Sequence, residues 1–236
     1  MIAVTFALRA ESSAFLSKIR HKSLVDRNGI RVSRGEINNR PIEVLHTGVG
    51  EKICRQRLEK FFADRQFDLL ISSGFAGALN DELHVGDLLL ARNFSTIDLS
   101  AKHVRLSNLP VCAADLLTVA TLIDSSDERN KLAHTSGAAA VDMETEFIAR
   151  ACAEHAVPLL SLRVITDTPR ESFPAPPKLL FDIGQQRTHM LKLARYFLVH
   201  PNRVPRLAQF ARRIAHARKT LANALVAVVR ACSCLR

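Results

Sequence analysis

Two carboxylates, Glu144 and Asp167, each follow an apolar segment that is typical of a β-strand. Residues 138–142 form one segment and residues 159–165 the other, with apolar residues at helical spacing between them. A strand–helix–strand unit with short connections predicts two parallel strands that are neighbours or near-neighbours in the sheet. Because open α/β sheets bind ligands at the carboxyl ends of their strands, we expect both acids at one ligand-facing edge. There they could perform acid–base chemistry on a small molecule.

Two earlier strand ends carry residues that could serve the same site. Arg9 and Glu11 follow the apolar segment 2–8, and a glycine-bearing turn at 74–79 follows the apolar segment 67–72. A glycine turn after a strand lets backbone amides approach a ligand closely. Each feature also has a simpler explanation, since an acid at a helix start is favoured by the helix dipole and a glycine can merely permit a turn. The four strand ends together favour a small-molecule site.

The remaining patterns predict the elements that would position these residues. Asn38-Asn39-Arg40, between two strand-like segments, predicts a hairpin. We predict strands at 2–8, 30–37, 41–47, 67–72, 85–91, 138–142 and 159–165, and a strand or helix at 116–123. We predict helices at 11–19, 178–200 and 204–230, and a further helix that follows Gly50 and ends at Phe62. The fold class is therefore α/β, with one three-layer domain whose central mixed, partly parallel sheet is flanked by helices.

The charge is distributed unevenly along the chain. The net charge is +10, yet residues 187–236 hold eleven Lys or Arg and no Asp or Glu, which leaves 22 basic and 23 acidic side chains elsewhere. We predict a catalytic domain at 1–186 and a basic helical extension at 187–236. The extension could meet a membrane surface or a nucleic acid. Because the chain has no Trp and a single Tyr, Tyr196, we expect no nucleic-acid partner.

Cysteine usage and the amino terminus indicate a cytoplasmic protein. The five cysteines form no C-x-x-C pair, so neither a disulfide framework nor a metal site is predicted. The apolar start, 1–8, lacks a basic leader and is expected to be a strand rather than a signal peptide. No apolar run reaches the ~18 residues of a spanning helix. Neither a metal nor a cofactor is expected.

Six segments at these strand ends resemble the nucleoside phosphorylase and nucleosidase superfamily, nearest its methylthioadenosine/S-adenosylhomocysteine nucleosidase branch. They are ALRAE (7–11), HTGVG (46–50), SGFAGAL (73–79), VGD (85–87), VDME (141–144) and LRVITDT (162–168). The resemblance implies a phosphorylase/nucleosidase-like fold, a homodimer, and cleavage of the N-glycosidic bond of a purine nucleoside. A 5′-substituted adenosine releasing adenine is the substrate that it implies.

The same resemblance implies roles for individual residues. Asp167 would lie beside the purine and help to protonate N7, Glu144 would hydrogen-bond the ribose hydroxyls, and Glu11 would activate the attacking water. Further residues implied to bind the substrate are Gly74, Phe75, Ala76, Gly77, Met143, Arg163 and Thr166. Arg163, in the middle of its strand, could instead position backbone or a carboxylate.

The nucleophile could be water or phosphate. A carboxylate at Glu11 would repel phosphate but suits water, which favours hydrolysis. Arg9, beside the same turn, could bind an anion such as phosphate and keeps a purine nucleoside phosphorylase as the alternative. Phe75 departs from the nucleosidase branch, which often has a hydroxyl residue at that position.

The basic extension resembles the carboxyl-terminal segment of hopanoid-associated phosphorylases, which implies a lipid-linked adenosine such as adenosylhopane. Its apolar stripe comprises Val204, Leu207, Phe210, Ala211, Ile214, Leu221, Leu225 and Val228. Such a basic amphipathic helix could lie on an anionic membrane, and the protein would then be peripheral at the inner membrane surface. The stripe could equally pack on the body of the protein. From another class, a non-enzymatic nucleoside-binding or membrane-docking module also fits the extension.

Overall fold

The computed structural model describes residues 1–97, 111–171, 173–186 and 188–232, and the described strands form one mixed sheet. The strands are β1 (Ile2–Phe6), β2 (Arg20–Arg27), β3 (Ile30–Ile37), β4 (Arg40–His46), β5 (Leu69–Ala78), β6 (Leu88–Ala91), β7 (Val111–Ala114), β8 (Leu116–Thr118), β9 (Ala140–Asp142) and β10 (Leu159–Asp167). The helices are α1 (Arg9–Leu16), α2 (Glu51–Phe62), α3 (Ser126–Ser136), α4 (Thr145–Glu154), α5 (Pro177–Leu180), α6 (Met190–Val199) and α7 (Val204–Ala231), with a 3₁₀ turn at Pro201–Arg203.

The strand order is β2-β3-β4-β1-β5-β10-β6-β7, and β9 pairs with both β5 and β8. The central strands β4, β1, β5 and β10 are parallel, whereas β2, β3 and β4 form an antiparallel meander and β6 is antiparallel to β10. The predicted mixed α/β sheet is therefore confirmed. The predicted hairpin is also confirmed, and Asn38 and Asn39 turn it with φ values of 55° and 60°.

The two faces of the sheet bury different sets of side chains, as strand alternation requires. Ile2 and Val4 pack under α1 and α7, whereas Ala3 packs under α2 and α4. The outer layers contribute Phe15, Leu221, Leu225 and Val228 on the first face and Leu58, Phe61, Ile148 and Cys152 on the second. Helices on both faces make three layers, which is the predicted architecture.

The carboxyl-terminal half of α7 belongs to this core. Leu221, Leu225 and Val228 are fully buried against the sheet. In the carboxyl-terminal half of α7, the apolar stripe therefore packs on the body of the protein. Division of the chain into a domain at 1–186 and an extension at 187–236 stays a prediction, but a chain ending near residue 186 would expose this face of the sheet. None of the helices in the described ranges is long and apolar enough to cross a membrane.

The strands before Glu144 and after α4 are near-neighbours on the two sides of β5, but the prediction that they are parallel is wrong. At Gly77, β5 pairs with β10 on one side and with β9 on the other, parallel to the first and antiparallel to the second. The reason is that β1 pairs with β5 only as far as Ser72. The edge of β5 beyond Ser72 is therefore free to pair with β9. Because β9 runs back along β5, it carries Glu144 towards residues 74–76.

Three other local predictions need correction. The segment 74–79 is mostly not a turn, because β5 continues through Ala78 with ladder partners on both sides. β2 was not predicted, since nearly all of its residues are exposed and it lacks an apolar face. The helix predicted at 178–200 is two helices, α5 and α6, separated by residues 181–189. The poorly patterned stretch 98–110 lies outside the described residues.

Candidate active site

A cavity of about 330 Å³ opens where β1, β5, β9 and β10 end. Its wall carries the side chains of four carboxylates and, among the described lining residues, a single cation. These charged residues are Glu11, Asp142, Glu144, Asp167 and Arg129. Such a concentration of buried acids in one concave site is typical of a catalytic centre.

Glu11 lies in the first turn of α1 and is only 7% exposed. The backbone N–H groups of Leu8 and Phe75 donate to its two carboxylate oxygens at 2.9 and 3.3 Å. Burial raises the pKa of Glu11, although these amides oppose the effect. A β-carbon on Gly74 would come within 3.3 Å of Glu11 Oε1, so a glycine here leaves room for the carboxylate. The carboxylate is thus held rigidly but kept easy to protonate.

Glu144 precedes α4 and receives a backbone N–H from Gly50 at 3.3 Å. Burial raises its pKa well above the ordinary value, and the neighbouring charges of Asp142 and Glu11 raise it further. Gly50 has φ of +88°, a conformation that favours glycine and turns its N–H to this acid. Two acids from distant parts of the chain therefore share one buried electrostatic environment.

Arg163 was predicted to bind substrate, but it does not line the cavity. Its Nε donates to Asp142 at 3.0 Å, and its Nη2 donates to Ser72 Oγ at 2.8 Å and Thr145 Oγ1 at 2.6 Å. The side chain is fully committed to these partners in the buried layer behind the site. Arg163 therefore positions Asp142 and the start of α4, which was the other role considered for it.

Asp167 ends β10 and lines the same cavity. Thr166 Oγ1 donates to its Oδ1 at 2.9 Å, and the guanidinium of Arg129 forms a buried ion pair with its Oδ2. Burial raises the pKa of Asp167, while the Arg129 charge opposes that rise. A β-carbon on Gly77 would lie 2.6 Å from Asp167 Oδ2 and 3.0 Å from Arg129 Nη1, so only glycine accommodates this pair.

Arg129 was missed in the sequence, and no local pattern singles it out. It is the buried residue of α3, a helix with an otherwise polar sequence that Ser125 caps. Its Nη1 donates to the carbonyl of Ala78 at 2.7 Å, and its Nη2 donates to the carbonyl of Ile123 at 2.6 Å. These bonds fix the guanidinium in the wall of the cavity, next to Asp167.

Much of the cavity wall is apolar. Phe173 meets Phe210 of α7 edge-on, with ring centroids 6.0 Å apart. Other apolar lining residues are Val119, Leu122, Ile123, Leu180, Phe181 and Ile214. The amino-terminal half of α7 therefore closes the site, whereas its carboxyl-terminal half packs in the core.

Most of the other predicted site residues also line this cavity: Phe75, Ala76, Gly77, Met143 and Thr166. Gly74 does not, although it adjoins Glu11. Arg9 lies instead in an adjoining cavity of about 350 Å³ together with Arg31 and Arg57. There burial, followed by the charges of Arg9 and Arg57, lowers the pKa of His46 to about 4. Within the described ranges, no cluster of three His, Cys, Asp or Glu side chains could hold a metal ion.

Comparison with known proteins gives consistent results. A family model described as the phosphorylase superfamily matches residues 2–116 and 100–198. A 5′-methylthioadenosine/S-adenosylhomocysteine nucleosidase of Staphylococcus haemolyticus (strain JCSC1435) is 23% identical over 196 residues, which cover 71% of this chain and 86% of that protein.

Two solved structures share the fold. A Campylobacter jejuni 5′-methylthioadenosine/S-adenosyl homocysteine nucleosidase matches with a TM-score of 0.70 and 16% identity, over 95% of this chain and 96% of the other. Futalosine hydrolase of Helicobacter pylori strain 26695 matches with a TM-score of 0.69 and 18% identity, over 97% of each chain.

Proposed function

Because the chain belongs to the phosphorylase superfamily, we propose that it cleaves the N-glycosidic bond of a 5′-substituted adenosine and releases adenine, with water as the nucleophile. The observation that carries this proposal is the convergence of Glu11, Glu144 and Asp167, three buried acids from different elements, on one cavity. The similar Staphylococcus and Campylobacter proteins are named for 5′-methylthioadenosine and S-adenosylhomocysteine, which are both 5′-substituted adenosines.

Each acid has a place in this reaction. As the C1′–N9 bond breaks, positive charge develops on the ribose, and a nearby carboxylate stabilises it. Glu11 accepts a proton from the water whose oxygen bonds to C1′, and the electrons of the broken bond leave with the purine. Glu144 accepts hydrogen bonds from the ribose hydroxyls, with Met143 beside the sugar. Asp167 lies beside the leaving base and helps to protonate N7, so that the purine leaves in its neutral form.

The charge of the cavity supports water over phosphate. Asp142 and Asp167 are paired with arginines, but Glu11 has no cationic partner among the described residues, and its ionised form would repel a phosphate dianion entering beside it. The arginine-bearing cavity around Arg9 adjoins this site at Ala7 and Leu8, which both cavities share, and keeps phosphorolysis as the second candidate.

Turnover is therefore expected to be independent of phosphate. In phosphate-free buffer, adenine release from methylthioadenosine should proceed at the same rate as in millimolar phosphate, with free 5-methylthioribose as the sugar product. Adenine release followed by absorbance, with chromatography of the sugar product, checks this expectation. A reaction that stops without phosphate and yields a ribose 1-phosphate would establish the phosphorylase alternative.

The 5′ group of the substrate is proposed to occupy the apolar part of the cavity, beside Phe173, Phe181 and Phe210. An apolar wall of this kind suits a hydrophobic 5′ substituent, up to a lipid-linked one such as adenosylhopane. The likeness of the extension to hopanoid-associated phosphorylases stays a prediction. An adenine-release assay on methylthioadenosine, S-adenosylhomocysteine, inosine, adenosine and an adenosyl-lipid would identify the 5′ group.

A membrane contact for such a substrate is proposed at α6 rather than along all of α7. Leu191 and Leu198 are 88% and 82% exposed, and Met190, Val199 and Val204 are also exposed. Lys192, Arg195, Arg203 and Arg206 are close to them in the sequence, and no acid follows Asp182. An exposed apolar patch within a basic surface is complementary to an anionic bilayer. The patch follows Phe181 and Thr188, which line the cavity.

The double substitution Leu191→Ser and Leu198→Ser is expected to weaken binding to phosphatidylglycerol vesicles at least tenfold, because two leucines would lose their burial in the acyl region. Vesicle sedimentation measures the binding. Leu24→Ser provides a matched control, since Leu24 is 69% exposed on β2 and should not matter. Equal binding by all three proteins, or equal binding to phosphatidylcholine, would contradict the α6 contact.

The assembly and location of the protein are also proposed. A homodimer in the cytoplasm is expected from the resemblance and from cysteine usage. A non-enzymatic membrane-docking module is the alternative from another class. It requires vesicle binding together with no turnover of any nucleoside. The vesicle sedimentation and the adenine-release assay on the five substrates would reveal this outcome.

A further inference from the structure

The connection between α5 and α6, residues 181–189, reaches a turn of the candidate active site. Phe181 and Thr188, near the two ends of this connection, line the cavity. Between them, Gln186 contacts Val49, which also lines the cavity. The Val49 N–H donates to Gln186 Oε1 at 2.8 Å, and Gln186 Nε2 donates to the Val49 carbonyl at 2.8 Å. The side-chain amide therefore pairs with the main chain as a residue of a neighbouring antiparallel strand does.

The structure around Gln186 holds its amide in one place. Its φ is +54°, in the left-handed region that residues other than Gly, Asn and Asp seldom adopt. Its Nε2 also donates to the carbonyl of Ile183 at 2.6 Å. Within the same connection, Asp182 accepts the N–H of Gln185 at 3.0 Å and pairs with His189 at 3.1 Å. Such backbone strain persists only where the surroundings fix it, and it clusters at functional sites.

The turn that Gln186 holds, residues 48–50, leads directly to Glu144. Gly50 donates its N–H to Glu144 Oε1 at 3.3 Å. Gly48 and Gly50 have φ values of +79° and +88°, and a β-carbon on Gly48 would lie 3.2 Å from Gln186 Oε1. Because glycines give a turn many accessible conformations, a contact from outside the turn is needed to fix where the Gly50 N–H points. The amide of Gln186 supplies that contact.

We propose that Gln186 is a positioning residue for Glu144. It fixes the turn 48–50, so that the Gly50 N–H holds the carboxylate in the orientation that accepts the ribose hydroxyls. This inference rests on the proposed function, which places Glu144 at the ribose. It assigns a role to a residue beyond Thr168, where the segments that resemble the family end.

Gln186→Met tests the proposal in turnover, because Met has a similar length but neither polar end of the amide. We expect kcat on methylthioadenosine to fall by about 10–10²-fold, as for a small misplacement of a catalytic group. KM should change little, since the bonds from Glu144 to the ribose strengthen in the transition state. On a nucleoside without its 2′ and 3′ hydroxyls, the loss should be less than about twofold.

A double substitution shows whether Gln186 acts through Glu144. The variant with both Gln186→Met and Glu144→Gln should be no slower than Glu144→Gln alone, because both changes remove one interaction. If the two losses add, or if Gln186→Met loses equally on both substrates, Gln186 only supports the fold and the inference is wrong.

Amide hydrogen exchange reports the same coupling without turnover. In Gln186→Met, the Gly50 N–H should exchange at least about tenfold faster than in the wild type, while the amides of β4 keep their protection. A Gly50 amide with an unchanged exchange rate overturns the inference. An unprotected Gly50 amide in the wild type would also overturn it, since the bond to Glu144 would then be absent.

Two further variants complete the design. Asn adopts the left-handed conformation readily, but its side chain is one methylene shorter than that of Gln. Gln186→Asn therefore keeps the backbone and loses the contact, and it decides the matter should Gln186→Met not fold. Wild-type kcat and Gly50 exchange in Gln186→Asn would contradict the proposal. Gln56→Met is the matched control, because Gln56 is exposed on α2 and should change neither kcat nor exchange.

The outcomes also separate this inference from the proposed function. Cleavage of methylthioadenosine at the wild-type rate by Gln186→Met overturns the inference alone. Faster Gly50 exchange in that variant, without cleavage of any nucleoside by the wild type, supports the positioning contact and overturns the proposed reaction. Unchanged exchange in the variant, together with no cleavage by the wild type, overturns both.

Discussion

Substitution of Glu11 by Gln is expected to lower kcat by about 10²–10⁴-fold, the usual contribution of a positioned general base. Gln nearly preserves the shape of Glu, and its amide oxygen can still accept the N–H of Leu8 or Phe75. What it loses is the ability to take a proton from water. Adenine release under saturating substrate measures the loss, and Glu59→Gln, an exposed change on α2, serves as the control.

The wild-type pH profile should carry the signature of the same group. Because burial raises the pKa of Glu11, the rise of kcat/KM with pH should occur above the ordinary carboxyl range. A wild-type rate that stays constant from pH 5 to pH 8, together with full activity in Glu11→Gln, would exclude Glu11 as the base.

The Glu11→Gln variant should be less active than the wild type but more stable at pH 7. A carboxyl group whose folded-state pKa is raised contributes stability below its ordinary pKa, and the contribution is lost as pH rises through the raised value. At pH 7 the fold disfavours the ionised form of Glu11 that the unfolded chain adopts, and Glu11→Gln removes this penalty. The variant should unfold at a higher temperature at pH 7 than the wild type, with a smaller difference at pH 4.

Glu144→Gln is expected to lower kcat by about 10²–10³-fold, because hydrogen bonds to the ribose hydroxyls strengthen in the transition state by several kcal/mol. The effect should depend on the substrate. A nucleoside without its 2′ and 3′ hydroxyls should be cleaved slowly by the wild type and lose little more in the variant, since both changes remove one interaction.

Glu146→Gln is the matched control, because Glu146 lies two residues further along, in the first turn of α4, and pairs with Arg150 at the surface. It should retain wild-type kcat on both substrates. An equal loss on the two substrates in Glu144→Gln would mean that Glu144 acts elsewhere, for example by setting the charge around Glu11.

The sequence alone identified three of the acids that the structure brings to one cavity. Glu11, Glu144 and Asp167 each follow an apolar segment, and that pattern is local, as is the alternation that makes β1 and β10 buried strands. Gly74 and Gly77 were also identified, although for the wrong reason. They provide space for carboxylates within a strand rather than a turn, and this space depends on side chains distant in sequence.

Only the tertiary structure decided how these residues are arranged. The direction of β9 depends on where β1 stops along β5, and no local pattern specifies that endpoint. Arg129 enters the site because α3 packs against the end of β5. Its partner Asp167 lies 38 residues further along the chain. Local periodicity indicates which face of an element is apolar, whereas the pairing of buried charges is set by contacts between elements far apart in the chain.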